Sequence, residues 1–229
     1  LNCLLDARKR NFDILLLLGY TSSSVWKFLY PKKSIIISNM DGMEWQRAKY
    51  SKSVRKFLKF AEKLAVTGSD FHIADSPVIK SYLDEKYNIN SKYIAYGADL
   101  SEHADENILT GYGLTSKEYF LLVARMEPEN NIEMLLDGFH MSTSQKKFVV
   151  VGNMGNKYGQ YLFQKFSSDK RIVFPGAIFD QEKLQSIVKF SSLYFHGHSV
   201  GGTNPSLLEA MADGAFIAAH NNPFNKSIL

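Results

Sequence analysis

The run HGHSVGGTNPSLLEAM, His196–Met211, follows a β-rich stretch, SSLYF, and leads into a helical one, SLLEAM. Two histidines, a Gly-Gly pair and a Thr-Asn-Pro turn therefore stand at a strand-to-helix junction, with Glu209 a turn or so into the helix. Asn204 suits an N-cap and Pro205 the first helical position, where a missing N–H is harmless. Glycines let a backbone approach a bulky group, and the amides of a helix start favour negative charge. The junction reads either as a well-capped turn or as a grip on a phosphorylated ligand. His196 and His198 alternate as at a strand end, so both fall on one face, where imidazoles can donate to phosphate or to a sugar hydroxyl. The other reading is that one of them is only packed. Two histidines without a third ligand make a poor zinc site. Glu209 sits among Leu207, Leu208, Ala210 and Met211, and a carboxylate in such a setting calls for a partner, ribose hydroxyls being one.

Outward from this junction, short β-rich runs alternate with longer amphipathic ones, the pattern of parallel sheets covered by helices. After an opening helix, LNCLLDARKR, strands are expected at Asp13–Leu18, Ser34–Ser38, Phe71–Ala74 and Lys92–Ala95. Helices are expected at Ser22–Tyr30, Glu44–Val66 and Pro77–Tyr87, the last capped by Ser76. The segment Gly97–Glu118 has neither periodicity and reads as a linker or long loop. Alternation then resumes through YFLLVAR, a helix near Asn131–Met141, KKFVVVG, a helix at Lys157–Phe166, RIVF, a helix at Gln181–Phe190, SLYFH, a helix at Pro205–Ala212 and AFIAA. The simplest division is a partial α/β domain over residues 1–98, a linker over 99–117 and a second α/β domain over 118–229. Ligands are expected at the carboxyl ends of strands.

Bulk properties narrow the class. With 45% hydrophobic and 22% charged residues the chain can bury a core, and a net charge of +4 suits anionic ligands but not a dedicated nucleic-acid binder. The single cysteine, Cys3, excludes an internal disulfide framework, which fits a reducing compartment and makes the cytoplasm the default expectation. The longest apolar run, within DILLLLGY, is too short to span a bilayer.

Other stretches carry chemistry-bearing residues. VARMEPENNIEMLLDGF puts Arg125 at a strand end and Asn130 or Asn131 at a helix start, and an arginine there can pair with a diphosphate or form an ordinary surface ion pair. VVVGNMGNKYG, with Gly152 and Asn153, is a strand and a glycine-rich turn but neither a P-loop nor a dinucleotide fingerprint. NMDGMEWQRAKYSKSVRKFLKFAEKLAV starts with a turn; then Val54, Phe57, Leu58, Ala61, Leu64 and Ala65 keep helical spacing, and Lys49, Lys52, Lys56, Lys59 and Lys63 form a basic stripe. The stripe suits a solvated face or an anionic membrane surface, met by the helix 44–66 lying on it. Asp41, Glu44 and Arg47, at its start, suit an acceptor hydroxyl or the helix dipole.

Taken together, NMDGMEWQRAKY, AYGAD, VARMEPENNIE and HGHSVGGTNPSLLEAM resemble family 4 of the glycosyltransferases, and more closely its bacterial polysaccharide rhamnosyltransferase branch. The resemblance implies a GT-B fold of two Rossmann-like domains, with an opening strand upstream of Leu1 and a second domain continuing past Leu229. It also implies that the second domain holds a nucleotide sugar. The family's pattern has two glutamates eight positions apart; Glu209 matches the second, implied to hold the ribose, and Gly201 stands at the first. Arg125 matches a diphosphate-facing arginine, and Asn130 stands where the family has a lysine.

On this resemblance the donor-binding set is Arg125, Asn130, Gly152, Asn153, Ala177 and His198, together with Ser199, Gly201, Gly202, Thr203, Asn204 and Glu209. The amides of Gly202–Asn204 and the Thr203 hydroxyl are expected to stand in for the missing cation. The implied reaction is sugar transfer, rhamnose from dTDP-rhamnose, to a glycan or lipid-linked acceptor at the inner membrane face, without metal or other cofactor. Arg125 and His198 would support the leaving group, and Asp41 or Glu44 the acceptor, with Arg47 beside them. The rival expectations are a nucleotide-binding module without transfer and a sugar-nucleotide epimerase.

Overall fold

A computed structural model describes residues 1–47, 49–100 and 104–229, so Ala48 of the expected helix and Ser101–His103 of the expected linker lie outside the described residues. The chain forms two compact units, one of Leu1–Tyr96, Val200–Thr203 and Pro223–Leu229, the other of Gly97–Ser199 and Asn204–Asn222.

In the first unit, α1 (Asn2–Arg10) precedes β1 (Ile14–Leu17), β2 (Ile35–Asn39), α2 (Lys52–Gly68), β3 (Phe71–Ala74), α3 (Pro77–Tyr87) and β4 (Lys92–Tyr93). The strands form a four-stranded sheet, parallel throughout, in the order β1-β2-β3-β4. Alternation sorts its side chains. Leu17, Ile36 and Ala74 are buried, while Ile14, Leu16, Ile35 and Phe71 lie exposed on the opposite face. The helix expected over Ser22–Tyr30 is a 3₁₀ segment, Ser24–Leu29, broken at Trp26.

The expected helix from Glu44 also starts later. A short 3₁₀ turn covers Glu44–Gln46, Arg47 is extended, and α2 starts only after Ser51, whose hydroxyl accepts from the Val54 N–H. That cap is where a helix start finds a side-chain acceptor. Lys49 thus precedes the helix rather than lying on it. Leu58, Ala61 and Ala65 are buried as expected, whereas Val54 and Phe57 are exposed.

In the second unit, β5 (Tyr119–Val123), α4 (Ile132–His140), β6 (Lys147–Val151), α5 (Lys157–Phe166), β7 (Ile172–Gly176), α6 (Gln181–Lys189), β8 (Leu193–His196), α7 (Pro205–Ala212) and β9 (Ile217–Ala219) follow in turn. The five-stranded parallel sheet has the order β7-β6-β5-β8-β9, a doubly wound arrangement that reverses between β5 and β8. Its strands are buried on both faces: Leu122, Phe148 and Val150 pack with α4 and α5, and Leu121, Val149 and Tyr194 pack with Ile187 and Ala210. The segment expected to be a linker contributes to this core. It forms a 3₁₀ helix over Glu106–Tyr112 and buries Leu109 and Leu114, apolar residues too sparse to show a period. The last helix, α8 (Pro223–Lys226), brings Phe224 into the core of the first unit. Both units are parallel α/β layers of the Rossmann-like kind expected of GT-B. No described helix is long and apolar enough to cross a membrane.

Candidate functional site

The second unit carries a cleft of about 600 Å³ at the carboxyl ends of its strands. That volume is within the range of small-molecule sites, and its place is the topological switch point, where the loops after β5 and β8 diverge. Ala124 and Arg125 enter from the end of β5, Gly152 and Asn153 from β6, and Ala177, Ile178 and Phe179 from the segment after β7. His198, Asn204, Pro205, Ser206 and Glu209 complete the wall. Seven expected donor residues meet there: Arg125, Gly152, Asn153, Ala177, His198, Asn204 and Glu209.

Arg125 is exposed and has no carboxylate partner among the described residues. Its backbone is fixed, since its carbonyl accepts from Asn130 Nδ2 at 2.7 Å and from the Glu127 N–H at 2.8 Å. Asn130 is itself buried and does not line the cleft. It therefore stands behind Arg125 rather than beside a ligand, because its amide spans the turn back to the strand end. Asn131, with φ +52°, donates from Nδ2 to the Gly197 carbonyl at 2.7 Å, and the Ser199 N–H and hydroxyl both donate to the Glu129 carbonyl. These bonds tie together the two loops that flank the switch point. Gly152 is required by close approach: a Cβ there would lie 2.1 Å from the Ala124 carbonyl oxygen.

Asn204 precedes α7 and Pro205 opens it, as expected, but the Asn204 side chain makes no cap bond. The start of α7 faces the cleft through Asn204, Pro205 and Ser206, which sets the positive end of the helix dipole at its wall. Glu209 follows one turn later.

The two histidines part company. His196 is buried and stacks on Tyr194 and on His198, whose ring centroid is 4.3 Å away. Among the described residues neither of its ring nitrogens has a hydrogen-bond partner, and burial, with His198 adding to it, pushes its imidazole down to about 3. His196 is thus neutral and packed, and His198 alone reaches the cleft.

Gly201, Gly202 and Thr203 were expected to offer donors to a diphosphate. In the structure they are buried with the first unit, and both donors of Thr203 are engaged by Asp75: the N–H bonds to Oδ2 at 3.0 Å and the hydroxyl to the Asp75 carbonyl at 2.8 Å. A Cβ on Gly202 would lie 2.4 Å from one Asp75 carboxylate oxygen and 2.7 Å from the other, so the second glycine of the pair accommodates this carboxylate. The physical reason is that a buried carboxylate recruits donors wherever the fold supplies them. Burial pushes the Asp75 carboxyl up to about 6; the Thr203 amide opposes the shift and Asp41 adds to it. Asp75 follows β3 directly and escaped sequence reasoning. Its only local signal was the position of ADSP at a strand end.

Of the acceptor-side candidates, Arg47 pairs with Glu44 through Nε at 2.8 Å and Nη2 at 2.7 Å, and Asp41 is exposed at the end of β2. Among the described residues, no group of three or more histidines, cysteines or acidic residues is arranged to hold a metal ion.

Two family matches divide the chain. Residues 14–99 match a domain of unknown function, DUF1972, and residues 106–229, more than half of the 229 residues, match the glycosyl transferases group 1. No curated protein matches. Among solved structures, Anabaena Alr3699/HepE in complex with UDP shares the fold with a TM-score of 0.79 at 16% identity, over 100% of this chain and 64% of that one. The pneumococcal O-GlcNAc transferase GtfA, in complex with UDP and GlcNAc, has a TM-score of 0.70 at 12% identity, over 97% of this chain and 45% of that one. A glycosyltransferase from Rickettsia africae has a TM-score of 0.69 at 15% identity, over 97% of this chain and 61% of that one. The chain thus spans less than two thirds of the length of these structures. With a doubly wound second unit, a cleft at its switch point and a match over residues 106–229, the chain belongs to the glycosyl transferases group 1 family.

Proposed function

We propose that the protein transfers a sugar from a nucleoside diphosphate donor, and that the cleft of the second unit is where this chain holds that donor. The observation that carries the reading is the convergence of Arg125, the start of α7 and Glu209 on one cleft at the switch point. Complexes of HepE with UDP and with UDP-glucose support a nucleotide-sugar ligand. As the donor carbon takes on oxocarbenium character, charge grows on the leaving diphosphate. Arg125 and the positive end of α7 stabilise that charge, His198 supplies a hydrogen bond, and Glu209 holds the ribose. No metal takes part in this reading.

The GGTNPS motif and the stretches around it support rhamnose from dTDP as the donor, and a glycan or lipid-linked molecule as acceptor. Asp41 is the stronger candidate to orient the acceptor hydroxyl, because Glu44 is already paired with Arg47. The exposed face of α2, where Phe57 and Phe60 lie among Lys56 and Lys63, supports peripheral contact with an anionic membrane. Calorimetry with dTDP and UDP, followed by transfer assays on the full-length protein, tests the proposal. Nucleotide bound with an intact Arg125 and lost in R125A is the expected result. Binding without transfer to any offered acceptor would favour a nucleotide-binding module instead.

A further inference from the structure

Glu62 lies on the inner face of α2 and is only 1% exposed. Its Oε2 accepts from the Trp45 indole N–H at 2.9 Å. Its Oε1 accepts from Tyr87 OH at 2.6 Å, Tyr82 OH at 2.7 Å and Lys86 Nζ at 2.8 Å. Taking a carboxylate out of water is costly, and an apolar residue of similar size would pack the same helix face without that cost. What an apolar residue cannot do is accept the indole N–H of Trp45 and so tie the short 3₁₀ turn Glu44–Gln46 to the helix. Trp45 is further enclosed, with the Lys59 ammonium 4.1 Å from its ring centroid and the Tyr82 ring beside it at 6.1 Å. Its sequence neighbour is Glu44, which pairs with Arg47, and the same turn begins at Asp41.

We infer that Glu62 is a positioning residue: by holding the Trp45 N–H it fixes the turn that presents Asp41, Glu44 and Arg47. The inference rests on the reading of those three residues as the acceptor side. Glu62 touches no substrate, so removing the bond should act on acceptor use and leave donor use alone.

The test uses the full-length protein. W45F keeps an aromatic ring between Lys59 and Tyr82 and deletes only the donor, so it is the variant least prone to misfold; E62Q alters the acceptor. Each should lower kcat/KM for the acceptor about tenfold while leaving KM for the nucleotide sugar within about twofold, and W45F/E62Q should be no worse than the more damaged single variant. Equal losses for donor and acceptor would mark a general structural role and overturn the inference. The anchor is read separately. In a W26F background Trp45 is the sole tryptophan of this segment, and E62Q should shift its emission to longer wavelength; an unshifted spectrum overturns the anchor itself. A shifted spectrum with unchanged acceptor kinetics would instead sink the placement of the acceptor at this turn.

Discussion

Replacing Gly202 by alanine tests the contact that most altered the interpretation of the HGHSVGGTNPS stretch. The added methyl would meet the Asp75 carboxylate at 2.4 and 2.7 Å, well inside any ordinary carbon–oxygen contact. Asp75 is 1% exposed and is held by the Thr203 amide at 3.0 Å, so it cannot swing aside without breaking that bond. Overpacking of this kind costs about 1–3 kcal/mol. Loss of a hydrogen bond to a charged group adds about 1.5–3 kcal/mol if the carboxylate is displaced. A total of roughly 2.5–6 kcal/mol corresponds to a fall of roughly 5–24 °C in Tm for a chain of this size. Thermal denaturation followed by circular dichroism measures it, with G138A as control, since a Cβ there meets nothing within 4 Å and alanine favours the helix. The clash should also vanish with its partner. In a D75A background, G202A should cost less than about 1 kcal/mol, a coupling that a double-mutant cycle resolves. If G202A melts with the parent chain, or if the two substitutions are additive, the close packing of Gly202 on Asp75 is wrong.

Asp213, buried just after α7 and near Glu209, has its carboxyl pushed up to about 6 by burial, with Glu209 adding to the rise. The folded state therefore holds this proton more tightly than the unfolded chain, and stability falls as pH rises from about 4 to about 6. D213N should flatten that slope and raise Tm at pH 7; Asp75 acts in the same direction, so some slope remains. An unchanged pH profile in D213N would refute the assignment. For Gly152, alanine meets a backbone oxygen at 2.1 Å rather than a side chain, so G152A should abolish nucleotide binding measured by calorimetry and lower Tm by more than about 5 °C. R125K should weaken dTDP or UDP about tenfold, because a lysine cannot reproduce bidentate pairing; equal affinity would remove Arg125 from the diphosphate. Sedimentation with anionic vesicles should lose the protein when Phe57 and Phe60 are both replaced by serine, and zwitterionic vesicles should not bind it at all.

Periodicity and caps are local, so the sequence by itself determined what depends on them: parallel α/β layering, Pro205 opening α7 with Glu209 on it, and Arg125, Gly152 and Asn153 at strand ends. The late start of α2 after Ser51 was partly legible too, in a serine suited to a cap and in apolar positions that begin only at Val54. Tertiary structure decided which buried polar groups met. Thr203 and Asp75 are 128 residues apart, and nothing near either announces the other. His196 and His198 share a strand face in the sequence, yet burial, with His198 beside it, made one neutral and packed while the other lined the cleft. Trp45 looked like part of a helix until the carboxylate of Glu62 claimed its indole. Buried donors and acceptors must be satisfied by whatever the fold brings within 3 Å, and that choice is made in space, not along the chain.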